Sequence, residues 1–213
     1  MSKGRISYAV VRRLPRYLRH LDDLLSKGVM RISSKTLAEL LGLTASQIRQ
    51  DLNCFGGFGQ QGYGYNVANL RDEIASILGI GNEYTAVIIG AGNIGRALIN
   101  NFSFKKRGFA LIAAFDSDPA ALGMLNGVEI IDISKLDGFI AKHKPDIAVL
   151  ALPRSCALPM AKHLVASGVR GLWNFTNSDL HLVDGSALIE NVHFSDSLLT
   201  LCYRISEKGE NLE

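Results

Sequence analysis

Gly90, Gly92 and Gly95 stand at the spacing G-x-G-x-x-G within TAVIIGAGNIGRALINN, residues 85–101. A short apolar run rich in β-branched residues, Ala86–Ile89, precedes them, and a helical pattern containing Ala97 and Leu98 follows. Strand, glycine turn and helix in that order can cradle a pyrophosphate: the first glycine makes the tight turn, the second lets backbone approach the phosphates, and the third lets the helix close on the sheet. The helix N-terminus adds unpaired N–H groups and the positive end of its dipole. Gly90, Ala91, Gly92, Asn93, Ile94, Gly95 and Arg96 are therefore the expected phosphate-side residues. The next apolar run, Leu111–Phe115, ends at Asp116, placed to accept hydrogen bonds from an adenosine ribose and to repel a 2′-phosphate. No Lys or Arg follows Asp116 until Lys135, which points to NAD(H) rather than NADP(H). Leu152 and Pro153, just beyond a later apolar run at Ile147–Ala151, are expected to line the same crevice. The plainer alternative is an ordinary strand-to-helix turn without a ligand; the flanking elements and Asp116 favour the dinucleotide.

A second chemistry lies at the other end of the chain. Residues 1–50 hold ten Lys/Arg against three acids, a balance of +7, whereas residues 81–213 balance at −2. Such asymmetry suits a polyanion-binding N-terminal domain joined to a neutral one, although a solvated basic face would look the same by charge alone. Pattern supplies the rest. Ser33 or Ser34 can cap a helix bearing Leu37, Leu40 and Leu41, which Gly42 closes. Thr44 and Gln47 then form a capping box for a helix that buries Ile48, Leu52 and Phe55. Helix, glycine-containing turn and helix is the spacing of a helix-turn-helix, whose second helix enters a major groove. Its outward residues, Ala45, Ser46, Gln47, Arg49 and Gln50, are the expected DNA contacts, with Ser33, Ser34 and Thr44 beside them. Gln can pair with adenine, Arg with guanine or phosphate, and the Ala45 methyl with thymine. Phe55–Val67 interleaves aromatics with glycines and reads as a hairpin, the wing of a winged helix, whose tip Gln60-Gln61-Gly62-Tyr63 would lie along the duplex.

These sites need positioning elements. Val10–Leu25 is periodic for a helix, started or kinked by Pro15, and Leu70, Ile74 and Leu78 mark another. A boundary is expected near Gly79–Asn82, giving domains 1–80 and 81–194 and a C-terminal helix over 195–213. Past it, strands and helices alternate. A helix starts at Asp118-Pro119, a strand runs over Val128–Ile133, and a helix follows over Ser134–His143. Further on come a helix at Met160–Ser167 and strands at Gly171–Asn174 and Val192–Phe194. The alternation predicts a parallel sheet with helices on both faces.

Composition narrows the classes. With 213 residues and 47% hydrophobic content the chain can build a sizeable core. No apolar run reaches membrane-spanning length and the first residues lack a signal peptide's apolar stretch, so a cytoplasmic protein is expected. The three cysteines, Cys54, Cys156 and Cys202, are far apart, which argues against a disulfide framework or a metal site and suggests small buried residues. A dehydrogenase would need a substrate pocket and a proton-transfer group. His143, His163, His181 and His193 show no partner constellation, and no second domain is expected after the Rossmann unit, so no enzyme is expected. A DNA-binding protein with a different nucleotide ligand remains the other alternative.

A basic winged helix joined to an NAD-type Rossmann unit resembles the Rex family of bacterial redox-sensing transcriptional repressors. The resemblance covers nearly the whole chain and is most specific at Ser46-Gln47-Ile48-Arg49-Gln50-Asp51-Leu52, at Phe55-Gly56-Gly57-Phe58-Gly59, at Gly62-Tyr63-Gly64-Tyr65-Asn66-Val67, and at Gly90–Leu98 with Phe115-Asp116. It implies a homodimer on a palindromic operator, released when NADH replaces NAD⁺, with the C-terminal helix swapped between subunits. It also implies that Phe194 approaches the nicotinamide region and that Arg19 takes part in interdomain signalling. Two features depart from the family pattern. Gln50 stands where a Lys is usual, beside a wing tip less basic than usual, and His193 stands where an acidic partner for Arg19 is expected.

Overall fold

Residues 7–56, 59–60, 63–182, 185 and 187–210 are described by a computed structural model; at 59–60 and 208–210 only the backbone is described. Gln61 and Gly62 of the expected wing tip lie outside the described residues, as do Gly57 and Phe58 and the side chain of Gln60. The chain divides into two compact units, Met1–Asn82 and Glu83–Glu213.

The first unit begins with α1 (Tyr8–Val11), capped by Ser7. Helix α2 (Leu14–Ser26) carries Pro15 in its first turn, so the proline starts this helix and does not kink a longer one. The chain continues through β1 (Arg31–Ile32), α3 (Ser34–Leu41), α4 (Ala45–Asn53), β2 (Gly59–Gln60), β3 (Gly64–Asn66) and α5 (Val67–Ile77). Gly42 leaves α3 in the left-handed conformation (φ 62°), and Thr44 caps α4 two residues later. Leu14, Tyr17, Leu21, Leu37, Ile48, Leu52, Leu70 and Ile74 converge in one core. The expected hairpin is the β2–β3 part of a three-stranded antiparallel sheet ordered β1-β3-β2. At two residues, β1 is too short to leave a periodic signal.

The second unit holds β4 (Tyr84–Ile89), α6 (Asn93–Asn101), β5 (Phe109–Asp116), β6 (Gly123–Leu125), β7 (Val128–Asp132), α7 (Leu136–His143), β8 (Ile147–Leu150), α8 (Arg154–Ala166), β9 (Gly171–Asn174), β10 (Leu188–Asn191) and α9 (Phe194–Glu210). One seven-stranded sheet runs β10-β9-β8-β4-β5-β7-β6, parallel except for β6. Strand residues alternate between its faces. Val87, Ile89, Phe115 and Leu150 pack with Leu136 and Ile140 of α7 and with Ala157, Ala161 and Leu164 of α8. Ile88, Ala114 and Val149 pack with Ile99 of α6 and with Phe104 and Phe175.

Three expectations are corrected. Asp118-Pro119 opens only a single 3₁₀ turn, Pro119–Ala121, because the chain reverses into β6, which pairs antiparallel with β7. The last strand is β10 at Leu188–Asn191; Val192 lies beyond it, and Phe194 already belongs to α9. All three cysteines are exposed: Cys54 caps the C-terminus of α4, Cys156 lies in the first turn of α8, and Cys202 lies on α9. Every residue of α9 from 194 to 207 is exposed. Among the described residues, no helix is long and apolar enough to cross a membrane.

Candidate functional site

The sheet order reverses at β4: β5 and β7 lie on one side, and the chain returns to place β8 on the other. Such a switch point opens a crevice at the carboxyl ends of the strands. A cavity of about 560 Å3 lies there, lined by Gly90, Ala91, Gly92 and Arg96 on one wall, by Asp116 at the end of β5, and by Leu152 and Pro153 after β8. Gly90 turns the chain with φ +97°, and its N–H bonds the Phe115 carbonyl at 2.8 Å. A Cβ at Gly90 would strike the Ala151 carbonyl, and one at Gly95 would strike the Gly90 carbonyl. A Cβ at Gly92 would meet nothing within 4 Å. Two glycines thus close the turn on itself, while the third leaves room for an incoming group. Among the described residues no side chain caps helix α6, whose N-cap is Gly92. Asp116 accepts the Ala91 N–H at 2.5 Å and the Asp118 N–H at 2.9 Å, which ties the glycine turn to the end of β5.

Of the expected cofactor residues, Asn93, Ile94, Gly95 and Phe194 do not line the cavity. Ile94, in the first turn of α6, packs against the core, and Gly95 is buried under the turn. Phe194 is 64% exposed at the start of α9, its ring 6.1 Å from that of Phe175. The cavity recruits residues that pattern alone did not mark: Ser117, Ile133, Cys156 and Met160. Of these, Met160 and Cys156 sit four apart on α8, a spacing that could have marked a shared face.

The expected DNA-contacting residues surround α4. Thr44 accepts the Gln47 N–H at 3.1 Å, which is half of a capping box. The other half is absent, because the Gln47 side chain turns to Asp51 and donates to it at 2.7 Å. Asp51 is 0% exposed and also accepts from Arg13 Nε and Nη2, each at 2.7 Å, and from the Tyr17 hydroxyl at 2.8 Å. Burial pushes the Asp51 carboxyl up, but the bonds from Arg13, Gln47 and Tyr17 outweigh it and hold the group below the usual carboxylate range. Burial first, then Asp51, pushes Tyr17 up. Arg49 donates to Ser34 at 3.2 Å, linking α4 to the start of α3, and Ser33 caps α3 through Thr36. Ala45 is half-buried, and Ser46 and Gln50 are exposed. Tyr63 is 69% exposed, with the Arg31 guanidinium 5.9 Å over its ring. Asp51 and Arg31 were not marked as site residues by pattern. A lone carboxylate on an otherwise apolar helix face is the signal that would have found Asp51.

Residues 5–53 match a family model described as "Putative DNA-binding protein N-terminus", and residues 81–178 match one described as "CoA binding domain". The redox-sensing transcriptional repressor Rex of Thermoanaerobacter pseudethanolicus is 50% identical over 207 residues, spanning 97% of this chain and 92% of the relative. That of Clostridium acetobutylicum is 50% identical over 210 residues, spanning 98% of each. The chain belongs to the Rex family. A crystal structure of RSP in complex with β-NAD⁺ and operator DNA is similar at 50% identity and TM-score 0.86, covering 96% of this Rex chain and 94% of that one. RSP in complex with β-NADH is similar at 45% identity and TM-score 0.89, covering 99% and 100%.

Three of the histidines in this Rex chain, His143, His163 and His193, have side-chain partners within the second unit. His163 pairs with Asp137 at 2.6 Å and His143 stacks on Phe139. His193 bonds Asp179 at 2.9 Å and Asn177 at 3.3 Å. None of these, nor His181, lines the cavity.

Proposed function

We propose that this protein is a redox-sensing repressor that binds a palindromic operator as a homodimer and leaves it when NADH replaces NAD⁺. The observation that carries the reading is the pairing, in one chain, of a switch-point cleft ending at Asp116 with a recognition helix locked to its neighbours through buried Asp51. Gly90, Ala91, Gly92 and Arg96, with the N-terminus of α6 formed by Asn93, Ile94 and Gly95, hold the pyrophosphate. Asp116 takes the adenosine ribose, and Leu152 and Pro153 line the nicotinamide side. When bound, the dinucleotide supplies a redox-dependent charge, since the nicotinamide ring is cationic when oxidised and neutral when reduced.

The duplex contacts are assigned to Ser33, Ser34, Thr44, Ala45, Ser46, Gln47, Arg49 and Gln50, and to the wing tip Gln60–Tyr63. Two copies of α4 read both half-sites only at one spacing, about one helical turn or a multiple of it. NADH releases the operator if it favours a dimer with a different spacing, and by reciprocity the operator then weakens NADH by the same factor. The dimer is joined through α9, exchanged between subunits, with Phe194 reaching the nicotinamide side and Arg19 carrying the signal between units. Residues 1–80, 81–194 and 195–213 are the functional divisions, and the protein works in the cytoplasm as a regulator, not as an enzyme.

Fluorescence anisotropy of an AT-rich palindromic duplex tests this. The duplex should bind, NADH should release it, and NAD⁺ should not; equal effects of the two cofactor forms would refute the reading.

A further inference from the structure

The buried Asp51 cluster has a consequence for base reading. An ionised carboxylate only accepts hydrogen bonds, so the end of the Gln47 amide that touches Asp51 must be the nitrogen. The usual ambiguity between the two ends of a glutamine amide is removed by the chemistry of its partner. Asp51 cannot turn away, because Arg13 and Tyr17 hold both of its oxygens from α2 and the residue preceding it. Gln47 is half-buried in the first turn of α4, and among the described residues its Oε1 has no partner.

We infer that Asp51 is a positioning residue for sequence readout: it fixes the Gln47 amide with the carbonyl oxygen free as an acceptor and the second N–H beside it. That pair of groups, in that order, complements the N6 donor and N7 acceptor on the major-groove edge of adenine. Arg13, Tyr17 and Asp51 never touch the duplex in this scheme; they set which way one reading group faces. The inference rests on the DNA-binding reading above and deepens it by assigning one base preference to one oriented side chain.

The test uses the full chain. Selection from randomised palindromic duplexes first defines the preferred operator. Each position is then substituted in turn and binding is measured by anisotropy. One symmetric A·T position should cost on the order of tenfold when replaced, within the range of a bidentate contact. Gln47→Ala should erase that preference, with a small fall in the thermal midpoint from the lost bond to Asp51. Asp51→Asn, which lets the amide flip, should also erase it, and should add nothing in the Gln47→Ala background. Tyr17→Phe, which removes one donor to Asp51 but leaves Gln47 bonded, should keep it. A uniform loss of affinity across all sequences in Asp51→Asn, or a preference that survives in Gln47→Ala, overturns the inference.

Should Asp51→Asn fail to fold, NMR of the native chain decides. The Gln47 Nε2 proton bonded to Asp51 should exchange slowly and resonate away from the free-amide position, and a fast-exchanging free-amide signal for both protons overturns the inference. If the native chain selects no sequence at all, the DNA-binding reading fails instead, and the NMR result still judges the Asp51–Gln47 contact.

Discussion

Arg13 and Asp51, 38 residues apart in sequence, are joined by two charge-assisted hydrogen bonds of 2.7 Å each. The pair ties the residue preceding α2 to the last turn of α4. Removing Arg13 leaves a carboxylate that is 0% exposed without its counter-charge. Arg13→Ala should destabilise the N-terminal unit by about 3 kcal/mol, at the low end of the range for buried pairs because the arginine side chain is 31% exposed. Hydrogen exchange of the α4 amides by NMR reads this directly: their protection should fall while that of β4 and β8 stays unchanged.

The same carboxylate gives a pH dependence of definite sign. The folded state holds Asp51 below its ordinary value, against the push of burial, through Arg13, Gln47 and Tyr17. Asp146 in the second unit is also held low: burial raises it, but bonds from Thr85 and Arg170 prevail. A depressed folded-state value contributes stability above the unfolded pKa, about 3.9, and that stability is lost as pH falls through the folded value. Thermal midpoints should therefore be level from neutral pH to about 5 with respect to these groups and fall below about 4. Asp51→Asn should flatten the part of that fall belonging to the first unit.

The three glycines of the turn should separate folding from binding. Gly90→Ala and Gly95→Ala place a methyl against backbone carbonyls and, at Gly90, strain a positive φ, so both should lower the thermal midpoint and abolish NADH binding. Gly92→Ala meets open space and should fold with an unchanged midpoint, yet lose NADH affinity through a clash with the pyrophosphate. Calorimetry alongside NADH fluorescence titration distinguishes the two outcomes.

Asp116→Ala removes the expected ribose acceptor and the group that holds the Ala91 N–H. NADH affinity should fall roughly tenfold or more, consistent with loss of hydrogen bonds to a charged group. Discrimination against NADPH should relax at the same time, because no carboxylate remains there to repel a 2′-phosphate. Coenzyme A, the ligand in the description of the second family model, serves as the control; if it bound more tightly than NADH, the dinucleotide assignment would be wrong.

Helix α9 presents Leu198, Leu201 and Ile205 to solvent at 60%, 51% and 62% exposure. Leu198→Glu with Leu201→Glu should convert a dimer to a monomer by sedimentation while leaving the circular dichroism of the Rossmann unit intact.

Sequence revealed the strand–turn–helix at Gly90 because glycine spacing, flanking periodicity and Asp116 are local signals. It also revealed the end of α3 and the start of α4, since Gly42 and Thr44 carry their meaning in their own dihedral angles, whereas Phe55, expected on that helix, lies beyond its end at Asn53. It misled where distant residues decide. The Gln47 amide goes to Asp51 rather than back to Thr44, because a buried carboxylate outcompetes a local backbone group. Asp118-Pro119 looked like a helix start, and its cap does form, but pairing with β7 takes the chain into a strand instead.

The run of solvent-facing side chains from residue 194 to residue 207 also bears on how such a sensor is dosed. If pairing through α9 completes the molecule, a lone copy is unfinished and the operator-reading form is populated by mass action. The abundance of the polypeptide then enters the response on the same footing as the redox state of its ligand. A cell that makes less of it would derepress its targets at a lower degree of reduction.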